Sequence, residues 1–333
     1  MKDFRLEPVD ELPHQPDAAP TFNESFYVNG WDPQARLGGW MRVGNRVHEG
    51  HAEISLCLYL PRGRLAVQFA RPEISSNDAF SAAGLTLTVD TPFQQARARY
   101  QGEVMLLDNP EMLRDPKAMY AQAPRVACSL DWLLTTVSPV HGGEPTRAEQ
   151  QTMYGREFSR GHFNQHTRVT GPLRVGAESW TLNGHGWRDH SWGPRTWQAI
   201  HHYRLFIGNF DEGSGFMLLK ITDHQGQTRR TGVWMADGEY EELEDLDVLV
   251  DWTGKKEPRS VRLGVRTAKR RTILEGQVLT LAPLRNRREL DGKTVTSRIA
   301  EGFTEFTWEG RKGLGICEFI EVLEDGEPAG YPL

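Results

Sequence analysis

The chain has 333 residues, a formal net charge of −6 and a hydrophobic fraction of 38%. This length fits two domains of similar size or one large β-structure. The acidic balance and the short, scattered basic clusters argue against nucleic acid as a partner. Three widely spaced cysteines without a CxxC motif predict neither a disulfide framework nor a thiolate metal site, and they fit the cytoplasm.

The first 20 residues predict neither secretion nor a membrane anchor. They carry acids and prolines where a signal peptide needs an apolar run, and no later segment reaches membrane-spanning length. We therefore expect a cytoplasmic protein with no membrane span.

Alternating polar and apolar residues then predict antiparallel strands. In residues 53–60, Ile54, Leu56, Leu58 and Leu60 share one face. Residues 65–70 and 84–90 continue the pattern after short turns. Residues 109–121 and 145–158 predict short helices, the second because Thr146 and Glu149 have capping-box spacing.

A second series of strands follows, and its first two members flank the DEGSG loop at 211–215. Its predicted strands are residues 203–210, 216–222, 230–235, 247–252, 260–267, 273–281, 303–308 and 315–322. Neither GxGxxG nor GxxxxGK occurs between a strand and a helix, so no nucleotide cofactor is expected. The sequence predicts an all-β protein with few short helices, divided into β-domains at 1–182 and 183–333.

Residues 184–197, GHGWRDHSWGPRTW, form the densest group of charged, imidazole and indole side chains around glycines expected to bend the chain. If extended, this segment directs Trp187 and Asp189 to one face, and Arg188, His190 and Trp192 to the other. Asp189 is the candidate proton donor or acceptor. An Arg188–Asp189 salt bridge that serves only structure is an equally open interpretation.

Histidines near this segment raise the question of a metal. His185, His190, His201 and His202 lack spacings such as HxH or HExxH, and adjacent histidines on a strand point apart. We expect no metal site.

Two further acids lie in aromatic or apolar surroundings. Glu24 in TFNESFYVNGW either closes the rim of a barrel or faces the same cavity as Asp189. Glu318 interrupts an apolar strand, where a carboxylate is normally paired, so an arginine partner is expected. A Ser191-His190-Asp189 relay is rejected, because three consecutive residues cannot converge.

The chain resembles the lipocalin-like superfamily of AttH-like proteins and hydroxyneurosporene synthases, the carotenoid hydratases, in its branch of tandem uncharacterised domains. Four segments carry the resemblance: FNESFYVNG, LGGWMRVGNRVHEGHAEISLCLYLPRGR, GPLRVGAESWTLNGHGWRDHSWGPRTW and GLGICEFIE. It implies two consecutive antiparallel barrels or sandwiches packed together, with an apolar cavity near their junction and no cofactor. Asp189 matches the family's acidic position. Gln165 matches a polar position, but Asn164 stands where an acid is expected.

The resulting hypothesis is a cofactor-independent lyase, hydratase or isomerase that acts by proton transfer on a hydrophobic terpenoid, steroid-like or aromatic molecule. Asp189 would transfer the proton, His190 or His185 would assist, and Arg188 would orient Asp189 or hold negative charge. The residues expected to line the pocket are Trp187, Trp192, Trp197, Tyr203, Glu24 and Tyr27.

Two alternatives remain open. A non-catalytic carrier or sensor of a lipophilic ligand would use the same cavity, with Asp189 and Arg188 locked as a pair. A protein-binding module would expose Trp31, Trp40 or Trp197. The sequence also leaves open a homodimer.

Overall fold

A computed structural model describes residues 3–196, 200–290, 293–324 and 327–328. The chain forms two compact units. The first contains residues 1–107 and 124–196, and the second contains residues 108–123 and 197–333.

The first unit is a sheet of twelve strands. These are β1 Phe4–Arg5, β2 Phe22–Asp32, β3 Leu37–Arg46, β4 His51–Leu60, β5 Arg64–Ala70, β6 Phe80–Ala82, β7 Leu85–Thr91, β8 Gln95–Leu107, β9 Arg125–Thr136, β10 His141–Pro145, β11 Gly161–Val175 and β12 Glu178–Pro194. Short 3₁₀ helices lie at Pro8–Glu11, Val47–Glu49 and Pro61–Gly63.

Eight of these strands close into an antiparallel barrel. They pair in the order β2, β3, β4, β5, β8, β9, β11, β12, and β12 pairs with β2 to complete the ring. The predicted alternation at 53–60 is confirmed, since Ile54, Leu56, Leu58 and Leu60 all lie in the barrel core. Because inward side chains fill a small barrel, the interior is a packed core of aliphatic and aromatic residues.

The second unit contains nine described strands and two described helical segments. The strands are β13 Ile200–Asn209, β14 Gly215–Asp223, β15 Thr228–Ala236, β16 Glu239–Trp252, β17 Pro258–Thr267, β18 Arg271–Leu290, β19 Lys293–Trp308, β20 Arg311–Glu324 and β21 Glu327–Pro328. β13 pairs with both β14 and β20, which closes a second antiparallel ring of eight strands. The all-β, lipocalin-like prediction is confirmed.

The helix predicted over 109–121 is present as a 3₁₀ helix at Pro110–Arg114 and α1 at Pro116–Gln122. The side chains of Asn109 and Asp115 cap these two segments by accepting hydrogen bonds from backbone N–H groups. The break before Pro116 agrees with the sequence, because proline lacks the N–H that would continue a helix.

The helix predicted over 145–158 does not form; the chain there makes turns. Pro145 is the last residue of β10 and pairs with Phe4, while Thr146 donates its backbone N–H to the carbonyl of Asp3. Gly155 has a φ of 92°, which also interrupts a helix. Sheet pairing with the N-terminal strand therefore overrides the local capping signal.

The boundary expected between 182 and 183 falls inside β12, and the compact units instead divide between 196 and 197. Cutting the chain at 182 would remove from the barrel the part of β12 that pairs with β2. The boundary is later because closure of the first ring needs this strand.

Candidate functional site

The predicted functional segment lies on β12 and continues past its end. On this strand Asp189 stands opposite Asn164 of β11 and Tyr27 of β2, whereas His190 stands opposite Phe163 and Phe26. Directly opposed residues share a face of a sheet. Since Phe26 belongs to the barrel core, His190 faces inward and Asp189 faces outward. The segment therefore divides its polar side chains between two separate environments.

On the outward face, the Asp189 carboxylate is contacted by two side chains. The Tyr154 hydroxyl donates a hydrogen bond of 3.3 Å to Asp189 Oδ2, and His162 Nε2 lies 3.4 Å from the same oxygen. Tyr154 is carried over this face by the turns that follow β10, and its ring packs edge-on against His162 at 4.6 Å. Among the described residues, Asp189 Oδ1 receives no hydrogen bond, so this oxygen remains available to a ligand.

Burial lowers the pKa of His162, against the opposing influence of Asp189. The imidazole is therefore neutral at neutral pH and lies beside Asp189 without a permanent charge. Its Nε2 makes no hydrogen bond among the described residues. Asp189 retains 15% side-chain exposure, while His162 retains 2%. The carboxylate is thus the accessible member of this pair.

Around Asp189, the outward face combines aromatic surface with buried polar atoms. Tyr27 stacks with Trp40 at a centroid distance of 6.2 Å, and Asn29 Nδ2 donates to the Tyr27 hydroxyl. In the described part of the chain, four buried atoms near Asp189 have no hydrogen-bond partner: Asn29 Oδ1, Trp40 Nε1, His162 Nε2 and Asn164 Oδ1. Unsatisfied buried polar groups cost about 1–3 kcal/mol each, so this face is suited to a polar group of a ligand or to water.

The inward face has an unrelated ion pair. The Arg188 guanidinium donates to both carboxylate oxygens of Glu11, with Nη1 at 3.0 Å from Oε2, and its Nε donates to Gln165 Oε1 at 3.1 Å. Phe93 N–H also donates to Glu11. Arg188 and Glu11 are both fully buried. The alternative of a structural Arg188–Asp189 pair is wrong, because adjacent residues of an extended strand point to opposite sides and Arg188 is bound to Glu11.

A second inward cluster centres on Glu24, near the start of β2. Its Oε1 lies 2.6 Å from His14 Nδ1 and 2.8 Å from His190 Nε2. Its Oε2 accepts hydrogen bonds from Asn77 Nδ2 and from the backbone N–H of His14. These donors hold the pKa of Glu24 down at about 2 despite its burial, and the carboxylates beside His14 raise that imidazole's pKa against its burial. Glu24 therefore faces the barrel interior and not the surroundings of Asp189.

The other predicted site residues are spread across the molecule. Trp187 is outward-facing and 1% exposed, and it packs against His166 at 4.6 Å. Trp192 is inward-facing and stacks on His14 at 4.2 Å. His185 shares the outward face but lies four residues, or about 13 Å, from Asp189 along the strand, so the structure does not bring it to the carboxylate.

The remaining predicted residues, Trp197, Tyr203 and Glu318, belong to the second unit. Tyr203 lies on β13 and is buried, and Trp197 falls outside the described residues. Glu318 lies directly opposite Glu301 of β19 and is hydrogen-bonded to it. The glutamate of β20 that is shown bound to arginines is Glu321, which accepts from Arg204 and Arg298.

The burial of tryptophan and cysteine side chains bears on two predictions, an exposed tryptophan patch and inert thiols. Trp31 and Trp40 are 2% and 5% exposed, so neither forms the exposed patch of a protein-binding module. The free cysteines are buried, and burial raises the pKa of Cys128 to about 12, as expected of inert packing residues.

The prediction from sequence missed Tyr154, His162, Glu11 and His14. A signal for His162 existed in HFNQH at 162–166, where a strand places three polar side chains on one face. Glu11 and His14 lie in the leader, the segment of residues 3–21 before β2, and had no such signal. Their contacts with β12 and β2 join positions 177 and 10 residues apart in sequence.

The bends expected at the segment's glycines are found at one position. Gly193 has a φ of 114°, whereas Gly184 and Gly186 do not adopt the left-handed region. Those two are required for another reason: a Cβ at Gly186 would lie 2.0 Å from the carbonyl oxygen of Asn29. They permit close pairing of β12 with β2.

Residues 7–322 match the model of a protein family described as a domain of unknown function, DUF7064. The chain belongs to the DUF7064 family. No curated protein matches the sequence of this DUF7064 member. Among the residues described, no helix combines the length and apolar character needed to cross a membrane.

Solved structures share the fold of this DUF7064 chain across nearly its whole length. Kievitone hydratase from Nectria haematococca is 11% identical with a TM-score of 0.53, over 96% of this chain and 93% of that one. CghA is 11% identical with a TM-score of 0.52, over 99% and 97%. CghA with Sch210972 gives 10% identity and a TM-score of 0.53 over the same shares. The resemblance to lipocalin-like AttH-type proteins is confirmed at the level of fold.

Proposed function

We propose that the protein is a lyase of the hydratase type, which moves a proton through Asp189 without an organic cofactor. The substrate is a hydrophobic small molecule of terpenoid, steroid-like or aromatic character. The observation that carries this proposal is the Asp189 carboxylate, with Tyr154 and His162 on one oxygen and the other oxygen open. The name of kievitone hydratase, whose fold is shared, agrees with this reaction type.

The arrangement suits addition of water to an activated double bond, or its reversal. Asp189 Oδ1 takes a proton from water as the water oxygen bonds to carbon, and the same carboxyl then delivers that proton to the neighbouring carbon. Tyr154 donates a hydrogen bond to Oδ2 and the neutral His162 ring lies beside the same oxygen, which fixes the direction of the carboxylate. Each proton taken is returned, so the cycle balances without a further reactant.

Substrate binding is assigned to the outward face around Asp189. Tyr27 and Trp40 offer a flat apolar surface. Trp187 lies two residues from Asp189 on the same face of β12, opposite Asn29. The unpartnered Trp40 N–H and the amide oxygens of Asn29 and Asn164 supply one donor and two acceptors for a carbonyl, hydroxyl or water. This combination supports the proposed class of substrate, hydrophobic molecules with a few oxygen atoms.

The carrier alternative loses its distinguishing feature. A plain carrier was expected to keep Asp189 paired with Arg188, but Arg188 is bound to Glu11 and faces away. A carboxylate left partly exposed among aromatic residues is more useful for proton transfer than for retention of an apolar ligand.

The test begins with native mass spectrometry of small molecules that copurify with the full chain. Purified ligand is then incubated with the protein in ¹⁸O-labelled water, and incorporation or loss of water is followed by mass. Asp189→Asn is expected to lower turnover by about 10²- to 10⁴-fold while ligand binding persists. Asp78→Asn, an exposed carboxylate in the same unit, is the matched control.

Turnover of the labelled ligand by Asp189→Asn at the wild-type rate would end the proposal. Retention of a ligand that never exchanges or adds water, in both wild type and variant, would favour the carrier.

A further inference from the structure

We infer that His14, Glu24 and His190 bind a divalent transition-metal cation, Zn²⁺ by its ligand chemistry. One potential ligand atom from each residue lies within 4.8 Å of the other two. The set lies inside the mouth of the first barrel, on the face of β12 opposite to Asp189. It is separate from the proposed proton-transfer site and does not depend on it.

The donor atoms match the preferences of zinc. Two imidazole nitrogens and a carboxylate oxygen are a common protein ligand set, with water in the fourth position. Glu24 Oε1 already lies between His14 Nδ1, at 2.6 Å, and His190 Nε2, at 2.8 Å. Tetrahedral zinc, with bonds of about 2.1 Å, separates ligand atoms by about 3.4 Å. Each contact must therefore widen by less than about 1 Å.

The ligands come from three parts of the chain that differ in exposure. Glu24 and His190 are fixed on paired strands of the barrel, and both are fully buried. His14 belongs to the leader between the first 3₁₀ helix and β2, and it retains 20% side-chain exposure. The small adjustment that a cation requires is thus available from His14, which also provides the route by which an ion and a water enter.

Neighbouring residues already hold the ligands as in a metal site. Asp10 Oδ1 lies 3.2 Å from His14 Nε2, the nitrogen that faces away from Glu24. A carboxylate behind a ligating histidine fixes the ring and increases its basicity. Asn77 Nδ2 donates to Glu24 Oε2, and Asn45 Nδ2 in turn donates to Asn77 Oδ1 at 3.0 Å. These bonds occupy Oε2 and leave Oε1 directed between the imidazoles.

Charge and surroundings also favour a cation of charge +2. Glu24 and Asp10 supply two buried carboxylates that balance the ion. The ring of His190 is enclosed by Phe26, Phe80 and Phe163 at centroid distances of 5.8, 5.2 and 5.4 Å. Such apolar walls exclude bulk water and strengthen the attraction between the ion and its ligands. A bound ion would therefore link His14 of the leader to Glu24 and His190 at the end of the barrel.

The experiment titrates chelator-treated, full-length protein with Zn²⁺ by calorimetry and with Co²⁺ by visible absorption. One ion per chain is expected, with the intense d–d bands of tetrahedral cobalt and a zinc-dependent rise in Tm. Glu24→Gln and His190→Gln are expected to abolish this binding. His224→Gln, an exposed histidine of the second unit, is the matched control and should bind as wild type does.

Two further measurements keep the inference testable if Glu24→Gln or His190→Gln fails to fold. Asp10→Asn keeps all three ligands and should weaken binding by about 10- to 100-fold. X-ray absorption spectroscopy at the zinc edge of the zinc-bound wild type should show two imidazole nitrogens and oxygen ligands. Absence of binding by the wild type overturns the inference in favour of a purely hydrogen-bonded cluster. Binding that Asp10→Asn leaves unchanged, or a spectrum with fewer than two imidazoles, overturns it in favour of surface histidines.

Discussion

Arg188 and Asp189 are neighbours in sequence, yet their side chains lie on opposite faces of β12 and take part in separate networks. Arg188 is bound to Glu11 inside the barrel, and Asp189 is held from outside by Tyr154 and His162. The two residues therefore affect different properties: stability depends on the inward side chain, and the proposed chemistry depends on the outward one.

Replacing Glu11 by Gln is expected to lower the free energy of unfolding by about 3–5 kcal/mol, because Arg188 would remain as an uncompensated buried charge. Urea denaturation followed by tryptophan fluorescence measures this loss. The double variant Glu11→Leu with Arg188→Met should recover most of it. Glu144→Gln, which disrupts the more exposed Arg5–Glu144 pair, should cost less than about 1 kcal/mol. Similar losses for the two glutamates would contradict the assignment of a buried pair.

Tyr154→Phe removes the hydroxyl that donates to Asp189 Oδ2 and keeps the ring that packs on His162. We expect kcat to fall by about 10- to 100-fold, since a hydrogen bond to a charged carboxylate is worth about 1.5–3 kcal/mol, while KM changes little. Steady-state kinetics on a ligand identified by native mass spectrometry provide the measurement. Tyr120→Phe, a half-exposed tyrosine of α1, is the control. An unchanged kcat in Tyr154→Phe would show that the hydroxyl does not orient Asp189.

His162→Gln tests the expected pH dependence. Burial lowers the pKa of His162, so protonation of this residue should impair activity only below the usual range for histidine. The wild-type acid limb of kcat should therefore lie below the ordinary histidine pKa of about 6.5. It should change shape in the glutamine variant, which cannot be protonated. A wild-type limb at the ordinary value that survives the substitution would assign the titration to another group.

Glu301→Gln is expected to stabilise the protein above mildly acidic pH. Burial raises the pKa of Glu301 well above 4.5, and the adjacent Glu318 carboxylate raises it further. The folded state thus holds a proton that the unfolded state releases, so stability falls as pH rises between the unfolded and folded pKa values. The slope is up to about 1.4 kcal/mol per pH unit.

Thermal melts across this pH range should show that slope in the wild type and its loss in Glu301→Gln. Glu309→Gln, an exposed glutamate in the turn between β19 and β20, should leave the slope unchanged. A wild-type Tm that rises with pH across this range would contradict the prediction.

Gly186→Ala should destabilise the first barrel by about 1–3 kcal/mol or more, because the new Cβ would lie 2.0 Å from the Asn29 carbonyl oxygen. The strain would act directly on the pairing of β12 with β2. Chemical denaturation is the measurement, and Gly254→Ala, where no atom lies within 4 Å of the new Cβ, is the control. Equal stability of the two variants would show that the strands separate easily at this point.

Local patterns in the sequence determined most of the strands and identified Asp189 as the candidate acid. Period-2 alternation identified Ile54, Leu56, Leu58 and Leu60 as one face, because alternation is a property of a single strand and needs no knowledge of its partners. The same periodicity correctly separated Arg188 from Asp189 once the segment was treated as extended. The capping-box signal at Thr146 was wrong because Pro145 and Thr146 are taken up by pairing with residues 3–5.

Only the tertiary structure decided which side chains meet. The partners of Arg188 and Glu24 come from the leader and from strands far away in the chain, and closure of the barrel brings them together. Tyr154 reaches Asp189 by the path of an irregular segment, which no periodicity describes. The sequence by itself therefore determined an all-β chain with Asp189 in the segment densest in charged, imidazole and indole side chains. Ring closure and the fold of the leader determined that one face of this strand carries a buried ion pair and a histidine–glutamate cluster, and that the other leaves a carboxylate open to a ligand.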